Sequence, residues 1–345
     1  PISACVFCLL MPLTAHADGV SKMKSLINNY SRGCAVVVYS LEDGELYSYH
    51  KTTSFFGASL IKLPYAYFAC TQIDAGVHSL DDTMTYTSSW YHGGSGIIRK
   101  GSYGKKYTVR QLLDYAMRYS DNVAYDMLVY LFGTSGFNSL MQEWGYSVKL
   151  GTPSPRWPNL TADFMRTSMQ KMYERRNDGE AWQTTWTGLC KSTATYVRGV
   201  LPGTTAVKYG NVSYVWHETC FVDGDYPYVL VIMTSISGSP NTTFIKNTAK
   251  AAGQIVEDYR NQKAASQPEP TEPPTEAETI PPETAPPLTE AEPTDETLPP
   301  ETAPPFTEAE PTEETLPPET ALPLTETEPN ETDALPTETE PAETE

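Results

Sequence analysis

The sequence predicts an α+β fold, an α/β sandwich in which an antiparallel sheet is flanked by N- and C-terminal helices, with an all-helical lobe beside it. Three observations predict this. Apolar, β-branched runs joined by hairpin turns lie near both ends of residues 18–263. Segments of helical period fill the middle, and amphipathic helices open and close the stretch. Helix, strands, helices, strands, helix is the order of a sheet closed by strands from both ends, with the central helices set to one side.

The elements follow in order. SKMKSLINNY places Val20, Met23, Ile27 and Tyr30 on one face, predicting a helix over 19–31 that Gly33 ends. CAVVVYS is a strand, and Asp43-Gly44 in SLEDGELYSYH is a hairpin signature. In YTVRQLLDYAMRYSDNVAYDMLVYLFG, Thr108 and Gln111 form a capping box. Leu112, Leu113, Ala116 and Met117 make a core stripe there, and a second helix runs from near Asn122 to before Gly133. AVKYGN begins a strand, SYVWHETCF and YPYVLVIMTSIS form a second hairpin about Asp223-Gly224, and a last helix carries Phe244, Ile245, Ala249, Ala252, Ile255, Val256 and Tyr259.

Composition divides the chain. The formal charge is −19, yet 23 acidic residues and no basic ones lie from Pro268 to Glu345, leaving 20 acidic against 24 basic residues, or +4, before them. The last segment holds 20 of the 29 prolines and repeats with period 18, as in TEAEPTDETLPPETAPPF at 289–306 and TEAEPTEETLPPETALPL at 307–324. It lacks the apolar surface that would repay the entropy of ordering, so 264–345 is predicted to be a disordered, extended acidic Pro/Thr/Glu-rich tail. LPPET and LPTET within it have no apolar run after them and read as repeat drift.

At the other end ISACVFCLLMPLTAHA closes on Ala15-His16-Ala17, the small-x-small pattern of a signal-peptidase site, so 1–17 is read as a partial signal peptide. Cys5 sits too early in the apolar run for a lipid anchor to be preferred. No later segment approaches the roughly 20 apolar residues of a membrane span. The expectation is a secreted, extracellular chain whose mature form has no span, with cell-wall association through the tail left open. Cys34, Cys70, Cys190 and Cys220 remain after cleavage and allow three pairings. Buried small hydrophobes are preferred to a framework of bridges. The charge of 18–263 is too diffuse to argue for nucleic acid. His50, His78, His92 and His217 lack ligand spacing, so neither a metal nor another cofactor is expected.

Candidate chemistry begins at FGASLIKLP. Ser59 opens an apolar helix with Lys62 on the same face, where free backbone N–H groups can stabilise an oxyanion and a desolvated lysine can take the serine's proton. S-x-x-K alone is weak, since it also starts at Ser21, Ser48, Ser102 and Ser168, and a capping serine beside a snorkelling lysine is the alternative. Ser120-Asp121-Asn122 occurs at the junction of two helices, where capping is again the alternative. Lys208-Tyr209-Gly210 starts the strand that precedes the second hairpin. Lys149-Leu150-Gly151 has the same spacing but leads into a proline-rich loop.

Three such motifs in this order resemble the penicillin-recognising serine enzymes, above all the class A β-lactamases, whose set is S-x-x-K, S-D-N and K-T-G. The resemblance covers essentially all of 18–263 and implies the β-lactamase/transpeptidase fold with a five-stranded antiparallel sheet. It implies Ser59 as the acylated nucleophile, Lys62 as base or proton relay, and Ser120 as proton shuttle to the leaving nitrogen. Asn122 would hold the substrate amide, Lys208 with Tyr209 and Gly210 would bind the substrate carboxylate, and the N–H groups of Ser59 and Asn211 would form the oxyanion hole. The partner is then a β-lactam or a peptidoglycan stem peptide.

Two departures stand out. Tyr209 replaces the usual threonine or serine, and the loop 150–165 (LGTPSPRWPNLTADFM) has no glutamate to activate the deacylating water. Glu143 and Asp163 flank it as expected surface or capping residues. The expectation is an acyl-enzyme that hydrolyses slowly, with a D,D-carboxypeptidase and a non-catalytic cell-wall-binding module as alternatives. HGGSG at 92–96 reads as a loop, His217-Glu218 as structural, and Trp90 and Tyr91 as packing more than cleft lining.

Overall fold

A computed structural model describes residues 17–30, 33–151, 156–235 and 239–266. Residues 1–16, within the expected signal peptide, and the acidic stretch after Ser266 lie outside the described residues, as do 152–155 of the proline-rich loop. The elements in chain order are α1 (Ala17–Asn28), β1 (Cys34–Ser40), β2 (Gly44–Tyr49) and β3 (Phe55–Phe56), then a 3-10 turn (Ala58–Ile61) running into α2 (Lys62–Asp74). Next come β4 (Thr83–Thr85), β5 (Lys106–Thr108), α3 (Val109–Arg118), α4 (Asn122–Phe132) and α5 (Ser135–Glu143). Then follow β6 (Asn159–Leu160), α6 (Ala162–Arg175), α7 (Glu180–Cys190), β7 (Thr204–Val212), β8 (Val215–Val222), β9 (Tyr228–Thr234) and α8 (Ser239–Ala265).

The main sheet has five antiparallel strands in the order β2-β1-β9-β8-β7, so strands from both ends of the domain do close it. Its middle strands are buried on both faces, which is why they read as unbroken apolar runs. Along β9, Val229, Val231 and Met233 enter the core shared with the helical lobe, while Tyr228, Leu230 and Ile232 enter the core shared with the terminal helices. The same alternation in β1 sends Ala35 and Val37 one way and Cys34, Val36 and Val38 the other. That is the period-two geometry of a strand.

Helix α2 runs through the middle of the helical lobe, and every residue from Lys62 to Cys70 is buried. It therefore has no polar face to show. Pro64 is tolerated because it falls in the first α turn, where an N–H is not required. The Thr108 capping box forms as expected, with Gln111 N–H donating to Thr108 Oγ1 at 3.2 Å and Thr108 N–H to Gln111 Oε1 at 3.1 Å. Helix α1 ends at Asn28, before the expected 31. Helix α6 is capped by Thr161, not Asp163: Thr161 Oγ1 accepts from Phe164 N–H at 3.2 Å. The Asp163 carboxylate instead accepts from Tyr146 Oη at 2.7 Å and from Arg166 at 3.0 Å. Cys34, Cys70, Cys190 and Cys220 are all free, and only Cys190 is less than buried.

Candidate active site

The first turn of the helix carrying Ser59 is 3-10, not α. In that winding residues three apart eclipse one another, so Ser59 and Lys62 are aligned one above the other. Lys62 Nζ lies 2.6 Å from Ser59 Oγ. Ala58 enters the turn at φ +43°, a left-handed conformation rare for a residue with a Cβ. Ser120 adopts φ +52°, so two of the three non-glycine residues with positive φ among the described residues sit in this site.

The second motif meets the first. Lys62 Nζ donates to Asn122 Oδ1 at 2.8 Å and reaches Ser120 Oγ at 3.4 Å. Asp121 caps α4, its Oδ1 accepting from Ala124 N–H at 3.0 Å, while its Oδ2 accepts from Ile97 and Ile98 N–H at 2.6 and 2.8 Å. Asn122 Nδ2 donates to Gly93 O at 2.8 Å, and its backbone N–H donates to Ser95 O at 3.1 Å. HGGSG is thus a loop, as expected, but it is also a strap that clamps the turn at 120–122. Gly96 serves this closeness: at φ +119°, a Cβ there would lie 2.3 Å from Asp121 Cγ.

The third motif closes the site from the sheet. Lys208 Nζ donates to Ser120 Oγ at 2.8 Å and to Tyr209 O at 2.8 Å. A Cβ on Gly210 would come within 3.0 Å of the backbone nitrogens of both Ser59 and Leu60, so only glycine lets β7 approach the turn that carries Ser59. His217, opposite Gly210 on β8, ties the same region down. Its Nδ1 accepts from Thr234 N–H at 3.0 Å and its Nε2 meets Phe56 O at 2.9 Å, which makes Nε2 the protonated nitrogen. Burial pushes its pKa down to about 4, against the backbone hydrogen bonds with Phe56 and Trp216, so the ring is a neutral strut. Glu218 is equally structural, accepting from Thr195 Oγ1, Tyr196 N–H, Val197 N–H and Trp216 Nε1.

Burial is the main force on the two lysines. It pushes the Lys62 ammonium down to about 7, against the upward pull of Asp121 and Asp126. It pushes Lys208 well below the ordinary lysine range, and the charge of Lys62 adds to the effect. Two ammonium groups sharing one serine hydroxyl cannot both stay charged cheaply in a dry site.

Ser59 opens into a cavity of about 220 Å³ whose wall includes Phe56, His92, Asn122, Trp157 and Asn211. Ser59 itself is 9% exposed. Of the five S-x-x-K serines, it alone lines this cavity. Trp90 packs on Tyr130 and Tyr91 is exposed, and neither belongs to the wall. Glu143 is exposed as expected.

Sequence reasoning missed Trp157, Asp126 and Arg156 here. Trp157 comes from the glutamate-free loop, and its ring lies 4.7 Å from Lys62 Nζ. Asp126 binds His92 Nδ1 at 2.6 Å and Arg156 Nη1 at 2.5 Å. Burial alone would raise the Asp126 carboxyl, but those two hydrogen bonds and their charges hold it below its usual range. One available signal was Asp126 itself, four residues past Asn122 and so on the helix face that follows it. Among the described residues no cluster of His, Cys, Asp or Glu could hold a metal ion, and no helix is long and apolar enough to cross a membrane.

A search of curated proteins found no match. Among solved structures the chain is similar to a beta-lactamase from Sphaerobacter thermophilus DSM 20745, at 19% identity and a TM-score of 0.58, covering 75% of this chain and 100% of that one. It is similar to PBP-A at 18% identity and TM-score 0.62, covering 73% and 98%. An ancestral class A beta-lactamase follows at 19% and 0.60, covering 69% and 99%. These likenesses establish the β-lactamase/transpeptidase fold. A model of the Beta-lactamase enzyme family matches residues 20–259, the whole span that builds the sheet, the helical lobe and the Ser59 cavity, and the chain belongs to that family.

Proposed function

We propose that this serine hydrolase is exported and is acylated at Ser59 by β-lactams or by the D-Ala-D-Ala ends of peptidoglycan stem peptides, and that the acyl-enzyme turns over slowly. One observation carries the reading: Lys62 Nζ stands 2.6 Å from Ser59 Oγ with its pKa brought to about 7, so a neutral amine is present to accept the hydroxyl proton. As Oγ attacks the carbonyl carbon, the oxyanion faces the N–H groups of Ser59 and Asn211, both of which line the cavity. The C–N bond then breaks. Ser120, between Lys62 and Lys208, gives its proton to the leaving nitrogen and is reprotonated from Lys62.

The ester must then be hydrolysed by water, which needs a base. Within the described part of the loop the cavity meets Trp157, an indole with no basic nitrogen. This supports slow deacylation and favours the D,D-peptidase side of the family over an efficient β-lactamase. A mutant of the neighbour PBP-A forms an acyl-enzyme with penicillin G, which supports the same chemistry on this fold.

The test is incubation with a fluorescent penicillin. The wild type is expected to form a covalent adduct that survives for hours, and Ser59→Ala none. Rapid loss of the adduct with nitrocefin hydrolysis would make the protein a β-lactamase instead. Absence of any adduct would leave a non-catalytic wall-binding module.

A further inference from the structure

The end of the cleft beyond Ser120 is closed by aromatic rings. Lys208, the cation expected to draw a substrate carboxylate, is completely buried. Its Nζ is spent on Ser120 Oγ and Tyr209 O and lies 4.6 Å from the centroid of the Tyr209 ring. Tyr209 is itself 6% exposed, and its hydroxyl donates across the cleft to Tyr119 O at 3.5 Å. Its ring is stacked with Trp216, centroids 6.2 Å apart at 21°, and Trp216 packs on Tyr196 at 4.4 Å. The Trp216 N–H is occupied by Glu218 Oε1 at 3.1 Å.

Among the described residues, the wall of the Ser59 cavity contains no lysine or arginine. Its one side chain able to carry positive charge is His92, whose Nδ1 is already bound to Asp126.

We propose that Ser59 serves acyl donors whose leaving part carries no free carboxylate, such as internal amides, peptide amides and esters, and that Tyr209 sets this preference. The proposal rests on the acyl-enzyme reading above and narrows its substrate class: of the donors named there it disfavours D-Ala-D-Ala ends, whose departing D-Ala carries a free carboxylate, relative to the same peptides bearing an amide or ester at that position. A carboxylate entering the cavity gives up its water and finds no cation in return, an uncompensated desolvation. To reach Lys208 it has to drive Tyr209 out of its stack and away from Tyr119. The low pKa of buried Lys208 reduces the reward even then. An uncharged amide or ester bears none of this cost, and the apolar walls of Phe56, Trp157 and Val212 accept it. Ring strain lets a free-acid penicillin acylate Ser59 all the same, without help from its carboxylate.

The test compares benzylpenicillin with its methyl ester, following acylation of the full chain by intact-protein mass spectrometry. The wild type is expected to react with the ester at least as fast as with the acid. In Tyr209→Thr, which opens the way to Lys208, the acid should gain about tenfold over the ester, the least that a recovered ion pair would contribute. Tyr209→Ala also removes the ring and should shift the ratio in the same direction, so it serves if the threonine variant does not fold. A wild type that prefers the acid by about tenfold or more, or a folded Tyr209→Thr with an unchanged ratio, overturns the proposal. No adduct with either compound instead overturns the acyl-enzyme reading on which it rests.

Discussion

In the proposed reaction Lys62 is the base, because burial weakens its hold on a proton beside Ser59 Oγ. The sign of the pH dependence follows. The amine is the base in its neutral form, which is the majority species above about 7 and falls roughly tenfold per pH unit below it. Acylation of Ser59 is therefore expected to rise with pH up to about 7 and level off, and Lys62→Met should slow it by roughly 10²- to 10⁴-fold. Stopped-flow quenching of protein fluorescence from pH 5 to 9 checks this, and a profile flat from 5 to 7 would remove Lys62 from the role. The pairing of Ser59 with Lys62 was legible because residue type and i+3 spacing are local properties. The place of Trp157 beside Lys62 was not, since it joins residues 95 positions apart in the chain.

The elements around the nucleophile are held by contacts between strands that sequence spacing does not reveal. β3, the 3-10 turn, β7 and β8 converge through Gly210 and His217. His217 has a folded pKa of about 4 against 6.5 for an ordinary histidine, so between those values the unfolded chain binds more protons than the native one. Its stabilisation is complete above pH 6.5 and is lost as pH falls toward 4, amounting to roughly 3 kcal/mol over the window. Urea unfolding is expected to show the wild type losing about that much more stability from pH 7 to pH 4 than His217→Gln does. Equal losses would mean the imidazole titrates freely. The strands themselves were readable from β-branched runs and two Asp-Gly turns. The strap at 92–96 read only as a loop, because its work is done by the backbone carbonyls of Gly93 and Ser95, which accept from Asn122, and is continued by the amides of Ile97 and Ile98, which donate to Asp121.

For the molecule as a whole, one sheet serves two cores, and the four cysteines are divided between its surroundings. Cys34 and Cys220 lie in the core under α1 and α8, while Cys70 lies in the helical lobe, its Sγ 3.3 Å from Thr185 Oγ1. Burial raises all four thiols above the usual range, which makes them poor nucleophiles. A chain beginning at Asp18, denatured without reductant, is expected to give four titratable thiols, and its thermal midpoint should not move when reductant is added. Fewer than four thiols would establish a bridge and return the disulfide reading that export allows.

Composition, hydrophobic period and the three short motifs already specified an α+β domain over most of 18–263, separate in character from the acidic repeats, and a serine with a lysine one turn away. These are local or additive properties, so a linear string carries them. Whether Ser59, Lys62, Ser120, Asn122 and Lys208 met in one place was decided by β7 lying against the start of α2 and by the strap clamping α4, contacts between residues about 25 to 150 positions apart. The same long-range packing turned Tyr209 from an odd letter in a motif into the ring that covers Lys208, because a side chain's surroundings are set by what the rest of the chain brings to it.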